Sequence, residues 1–190
     1  MKKIAYCFSI LVLFWVSVAS AHGPSRVKVE ETVEINAPPA VVWAKIKDFD
    51  SVESWLPVIE KTVAQGGNKK GATRELTLKD GGGTIKEELK SYKESKMEFS
   101  YKITEMSTVK TIEHSGETVP VKVLPVTNYK AWLSVEPNGS GGSKVVWKAK
   151  FYRGYMNNNP PAALNEDAAV SAVTSVFKLG LSNLKKVVGG

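Results

Sequence analysis

Val33-Glu34-Ile35-Asn36-Ala37-Pro38-Pro39-Ala40-Val41-Val42-Trp43 carries the transition on which the fold turns. On its N-terminal side, Val27, Val29, Val33 and Ile35 alternate with Lys28, Glu30, Thr32 and Glu34. That is the period-2 pattern of a half-buried strand, with Glu31 left on the apolar side. Asn36 and the proline pair stop the strand. Proline suits the first turn of a helix, because the N–H it lacks would be unpaired there in any case. Val41, Val42, Trp43, Ile46 and Phe49 then fit one face of a short helix, and Ser51 to Trp55 a second helical turn or two before Pro57.

Downstream the pattern is antiparallel β. Strands are expected at about 58–65, 71–79, 84–93 and 97–104, separated by Gly66-Gly67-Asn68, by Lys79-Asp80-Gly81-Gly82-Gly83 and by Glu94-Ser95-Lys96. Between 106 and 120, Thr108 to Ile112 and Thr118 to Val123 flank His114-Ser115-Gly116, which reads as an added hairpin or as a loop. Two long strands follow near 121–136 and 143–153, joined by Pro137-Asn138-Gly139-Ser140-Gly141-Gly142. A strand rather than a helix follows those glycines, so they make a turn and not a phosphate cradle. After a loop at 154–161, Ala169, Ala172, Val173, Val176, Phe177, Gly180, Leu184 and Val187 recur at helical spacing, predicting one amphipathic helix over about 164–188.

Residues 1–21 have the form of a cleavable signal peptide: Lys2 and Lys3, an apolar run from Ile4 to Val18, then Ala19-Ser20-Ala21. The expectation is a periplasmic chain beginning at His22, with no membrane span after cleavage and residues 22–190 forming one domain. The only cysteine, Cys7, lies in that leader, so the exported chain would hold no disulfide and no thiolate ligand. Removing Lys2 and Lys3 lowers the formal net charge from +7 to +5, spread along the chain. Nucleic acid is not an expected partner; an acidic protein is compatible. His22 and His114 are the only histidines, which excludes a metal centre with several histidines inside a monomer, and no Gly-x-Ser-x-Gly elbow occurs. No cofactor, no metal and no catalytic residue is expected.

Strand, two short helices, a run of antiparallel strands and a long C-terminal helix make an α+β, helix-grip architecture: a curved antiparallel sheet wrapped around the terminal helix, enclosing space. The sequence resembles the START and birch-pollen-allergen (SRPBCC) superfamily, and within it the polyketide cyclase and dehydrase type. The residues that carry the resemblance are Val33 to Trp43, Phe49, Trp55-Leu56-Pro57-Val58, Gly71 to Leu78 and Thr84 to Leu89. A narrower similarity to MxaD-type periplasmic proteins rests on His22-Gly23-Pro24, on Val121 to Tyr129, and on Phe151 to Tyr155 with Asn159-Pro160-Pro161. That resemblance implies a non-catalytic accessory role in methanol oxidation, with methanol dehydrogenase and a c-type cytochrome as partners.

Parity assigns the inner face of the sheet. Arg74 and Leu76 share a side with Ala72 and Leu78, and Glu87 shares one with Ile85 and Leu89. A turn centred near Gly81 sets Arg74 opposite Glu87 as a cross-strand ion pair. Phe99 and Tyr101, then Tyr129, then Trp147, Phe151 and Arg153 follow on the other strands, with Glu31 expected near Arg153. Trp43 and Trp55 are expected to pack helix against sheet, Trp55 also being a candidate for the pocket mouth. The ligand-binding candidates are therefore Trp55, Arg74, Leu76, Glu87, Phe99, Tyr101, Tyr129, Trp147, Phe151 and Arg153. Besides the accessory role, this leaves a carrier of a small hydrophobic ligand, or a cyclase- or dehydrase-type enzyme using Glu87 or Glu31; the absence of any further catalytic signal weighs toward a non-catalytic protein.

Overall fold

Every other structural element hangs on a seven-stranded antiparallel sheet. The structure is a computed structural model describing residues 23–189; the expected signal peptide and its cleavage site lie outside them. The strands are β1 (Val27–Ile35), β2 (Ile59–Gln65), β3 (Thr73–Leu78), β4 (Thr84–Lys93), β5 (Glu98–Met106), β6 (Thr108–His114), β7 (Glu117–Lys122), β8 (Val126–Pro137) and β9 (Ser143–Arg153). The helices are α1 (Pro39–Ile46) and α2 (Glu166–Gly189), and a short 3-10 turn occupies Ser51–Ser54. The main sheet runs β1-β9-β8-β5-β4-β3-β2, while β6 and β7 form a separate two-stranded sheet.

The order follows from short links. β2 to β5 pair with their sequence neighbours, as do β8 and β9, and β1 closes the far edge against β9. The β6–β7 hairpin is an excursion between β5 and β8, which pair directly with each other. The stretch left open as hairpin or loop is thus a hairpin.

β8 begins later than the sequence pattern indicates, at Val126 rather than near 121. Val121 and Lys122 belong to β7, and Pro125 has no N–H to give a ladder. A register shift between Thr127 and Lys130, with Asn128 at φ +49°, then bends the strand.

Pro39 opens α1, and Val42, Trp43 and Ile46 are its buried face. Helix α2 begins at Glu166 rather than 164, because Asn165 caps it: its Oδ1 accepts from the Ala168 N–H at 2.8 Å. Glu166 and Asp167 suit the positive end of the helix dipole. Ala169, Val173, Phe177, Gly180, Leu181 and Leu184 form its buried stripe, and Val187, expected on that face, is exposed. The helix lies along the concave face near β1 and β9. Gly180 lets it come close: a Cβ there would stand 2.9 Å from both Leu56 Cδ1 and Trp147 Cζ3. No helix among the described residues is long and apolar enough to cross a membrane.

Candidate functional site

Alternation places one large side chain after another on the concave face. Trp43, Phe99, Phe49, Tyr101, Tyr129 and Phe151 form a continuous series of ring contacts, with centroids 6.0–6.3 Å apart. Trp147 lies flat on Phe177 of α2 at 4.1 Å and meets the edge of Trp55 at 5.3 Å. Apolar burial of this kind contributes about 1.5–3 kcal/mol per large side chain, so the aromatic face anchors the sheet to the helix.

The rings do not fill the whole space. A cavity of about 220 Å³ remains, bounded by Val52, Leu56, Val58 and Ile59, by Leu76 and Leu78 of β3, by Ile85 of β4, by Ile103 of β5, by Val123 and Leu124 after β7, and by Ala172 and Val176 of α2. Arg74, Glu87, Tyr101, Tyr129 and Trp147 bring its polar atoms. Val58, Leu78, Ile103, Val123, Leu124 and Val176 are only half-buried, so its rim is apolar as well. At roughly 30 Å³ per water, the volume corresponds to about seven waters, below the ~300–1,000 Å³ of sites for drug-sized molecules.

Arg74 and Glu87 stand opposite each other in the β3–β4 register and are 4% and 5% exposed. Arg74 Nε donates to Glu87 Oε2 at 2.6 Å and its Nη1 donates to the Phe49 carbonyl at 2.6 Å. The guanidinium also lies 4.2 Å from the Phe49 ring centroid and 5.0 Å from that of Tyr101. Phe49 is itself fixed through Asn68, whose Oδ1 accepts from the Phe49 N–H at 2.8 Å. The carbonyl that Arg74 needs is thereby held at the end of the α1 segment. Burial pushes the Glu87 carboxyl above the usual carboxylate range, against the pull of the Arg74 charge.

Tyr101 and Tyr129 are also forced upward by burial, so both hydroxyls keep their protons. Tyr101 accepts from Trp147 Nε1 at 3.0 Å, which leaves its own O–H as a donor. The polar end of the cavity thus offers a neutralised ion pair and two phenols.

Of the ten sequence candidates, Arg74, Leu76, Glu87, Tyr101, Tyr129 and Trp147 line the cavity. Trp55 stands behind Trp147; Phe99 packs on Trp43, Phe49 and Tyr101; Phe151 stacks on Tyr129. These three are buried support. Arg153 does not face the cavity. It lies beyond the end of β1, whose Val27 pairs with Phe151, and it donates to the carbonyls of Tyr155 at 2.7 Å and Asn157 at 3.0 Å. The expected Glu31–Arg153 pair is therefore not formed: Glu31 pairs in register with Trp147 and its nearest cation is Lys178 of α2, at 4.0 Å. Leu78 and Ile85 share the inner-face parity of Arg74 and Glu87 and line the cavity without being among the ten candidates, and Ile103 lines it two residues after Tyr101 on β5. Val123 and Leu124 carry no periodic signal, because a turn delivers them.

A family model described as polyketide cyclase / dehydrase and lipid transport matches residues 26–189, and the chain belongs to that family. Among curated proteins no significant relative was found. Solved structures give the same fold. XoxI from Bacillus cereus is 24% identical with a TM-score of 0.66, over 85% of this chain and 94% of that one. An uncharacterised protein from Bacillus thuringiensis is 26% identical with a TM-score of 0.64, over 85% and 98%. The protein Ara h 8.0201 is only 16% identical, yet reaches a TM-score of 0.63 over 86% and 98%. The helix-grip architecture is thus shared across wide sequence divergence.

Proposed function

We propose that this member of the polyketide cyclase / dehydrase and lipid transport family binds a small, mostly apolar molecule between the sheet and α2, without transforming it. The observation that carries this reading is the cavity of about 220 Å³, apolar on its walls and rim and polar at the Arg74–Glu87–Tyr101 end alone. Such a site suits a neutral ring or short chain with one hydroxyl or carbonyl group, since a carbonyl can accept from a phenol while the rest displaces poorly held water.

The test is native mass spectrometry of protein purified from its own host, with titration of small phenols and medium-chain alcohols followed by tryptophan fluorescence. Bound mass or saturable quenching that is lost in Tyr101→Leu supports the reading. Protein that carries nothing and responds to none of the probes overturns it.

A second reading is that the protein is exported and serves as an accessory of methanol oxidation, acting on methanol dehydrogenase and its cytochrome c. It is supported by the signal-like N-terminus and by the MxaD-like stretches. Two of these stretches adjoin in space, since Val126 pairs with Arg153 and Thr127 with Tyr152. Its test is the electron-transfer rate from methanol dehydrogenase to cytochrome c with and without the purified protein. An unchanged rate counts against the role.

A further inference from the structure

The convex face of the sheet, away from the cavity, carries an arrangement that stability alone does not favour. Lys28, Lys150, Lys130 and Lys102 stand directly opposite one another on β1, β9, β8 and β5. Like charges in facing positions destabilise a sheet. The two ends of the row are neutralised: Lys28 reaches Glu30 at 2.7 Å and Lys102 reaches Glu88 at 3.1 Å. The middle is not. Among the described residues Lys130, Lys150 and the adjacent Lys148 have no carboxylate within ion-pair distance.

Trp132 sits among them, with Lys130 Nζ 4.9 Å and Lys148 Nζ 5.8 Å from its ring centroid. A shallow depression of about 360 Å³ lies over Lys28, Trp132, Lys148 and Lys150. An aromatic ring flanked by Lys130 and Lys150, which close no ion pair, and by Lys148, which faces Glu30 across the β1–β9 ladder while Glu30 bonds Lys28 instead, has the make-up of a protein-binding hot spot for an acidic partner.

We propose that this face docks an acidic surface of another protein, with Trp132 at its centre and Lys130, Lys148 and Lys150 meeting its carboxylates. Spacing supports an α-helix as the partner element. Lys130 and Lys150 stand one strand spacing apart, ~4.8 Å, and Lys148 lies two residues along β9 from Lys150, ~7 Å, separations that acidic side chains recurring every ~5–6 Å at i, i+3 and i+4 of a helix can match. Glu30, Glu34 and Glu136 share the same face by strand parity. A uniformly anionic membrane would be repelled along those positions, whereas a protein can present a matching mixture of charges.

The experiment uses the purified protein and a labelled helical peptide with glutamates along one face, titrated by fluorescence anisotropy at low and physiological salt. Binding that weakens at least tenfold in Lys130→Gln/Lys148→Gln/Lys150→Gln, and less than twofold in Lys61→Gln/Lys69→Gln/Lys70→Gln, supports the proposal. The two variants change net charge equally, so equal weakening overturns it as mere attraction to a basic protein. Capture by phosphatidylglycerol vesicles with indifference to the peptide also overturns it. Trp132→Ala gives a second readout that leaves charge untouched, and is expected to weaken peptide binding at least fivefold.

Discussion

Arg74 Nε lies 2.6 Å from Glu87 Oε2, and neither side chain is more than about one-twentieth exposed. The pair is a mutual requirement more than a source of stability, because each charge has lost its water. Arg74→Met alone is expected to destabilise the protein by about 3–5 kcal/mol, leaving a buried carboxyl and a Phe49 carbonyl without their donor. Arg74→Met/Glu87→Leu should recover much of that loss, though not all, since the carbonyl stays unpaired. Urea unfolding of the two singles and the double checks this; a double variant no better than the worse single would refute it.

The pH dependence has a definite sign. Burial holds the folded Glu87 carboxyl above its ordinary value of 4.5, so between 4.5 and the raised value the folded state binds more proton than the unfolded. Stability contributed by this group therefore falls as pH rises through that window, by at most ~1.4 kcal/mol per pH unit. In Arg74→Met the opposing pull of the guanidinium is gone and the window should extend further upward. Melting temperatures measured from pH 4 to pH 8 should diverge between that variant and wild type as pH rises. A constant gap would contradict the account.

Ala172 borders the cavity from α2 and is half-buried. Ala172→Leu projects three more carbons into the space with no polar group to strand. Expected stability is unchanged or slightly higher, while affinity for any cavity ligand drops at least tenfold. A titration showing undiminished affinity would mean that the ligand sits elsewhere.

At Gly180, helix propensity and packing pull in opposite directions. Alanine gains about 1 kcal/mol in a helix interior, but its Cβ would stand 2.9 Å from Trp147 Cζ3, and Trp147 is pinned flat against Phe177. Overpacking of this kind costs about 1–3 kcal/mol. Gly180→Ala is therefore expected to be neutral to 2 kcal/mol less stable, and Gly180→Val clearly worse. A gain in stability for both would show that the helix has room to shift.

Much of this architecture is legible in the sequence because alternation and short glycine turns are local signals. The turn around Gly81 fixes which residue faces Arg74, and parity then carries the inner face to Tyr101, Tyr129 and Trp147. What fails is anything set by where a strand ends in space. Arg153 has the right parity, but β1 stops short of it, so it caps the following loop instead of facing inward. Phe99 and Phe151 also have the right parity, yet neighbouring rings cover them. Val123 and Leu124 reach the cavity through a turn whose path depends on Ser107 and Gly83, contacts invisible to periodicity. The lysine row emerges only when the strands are laid side by side.

The β6–β7 hairpin is tied down at both ends, and the two ties differ in strength. At its base Ser107 exchanges bonds with Thr84, its N–H donating to the Thr84 carbonyl at 3.0 Å and its Oγ accepting from the Thr84 N–H at 2.8 Å. Gly83, at φ +93°, lies so close that a Cβ there would collide with Ser107 Oγ. At the tip, His114 Nε2 lies 2.8 Å from the Asn159 carbonyl, and its ring meets Tyr155 edge-on at 5.3 Å. A carbonyl only accepts, so Nε2 carries the hydrogen. One exposed hydrogen bond contributes about 0.5–1.5 kcal/mol at most. His114→Ala should therefore leave global stability almost unchanged while speeding amide exchange across β6 and β7. Gly83→Ala, which forces both a left-handed backbone and a collision, should lower the unfolding midpoint of the whole protein. Hydrogen exchange read by mass spectrometry separates the two. Equal protection of the hairpin in wild type and His114→Ala would show that the tip contact contributes nothing to its order.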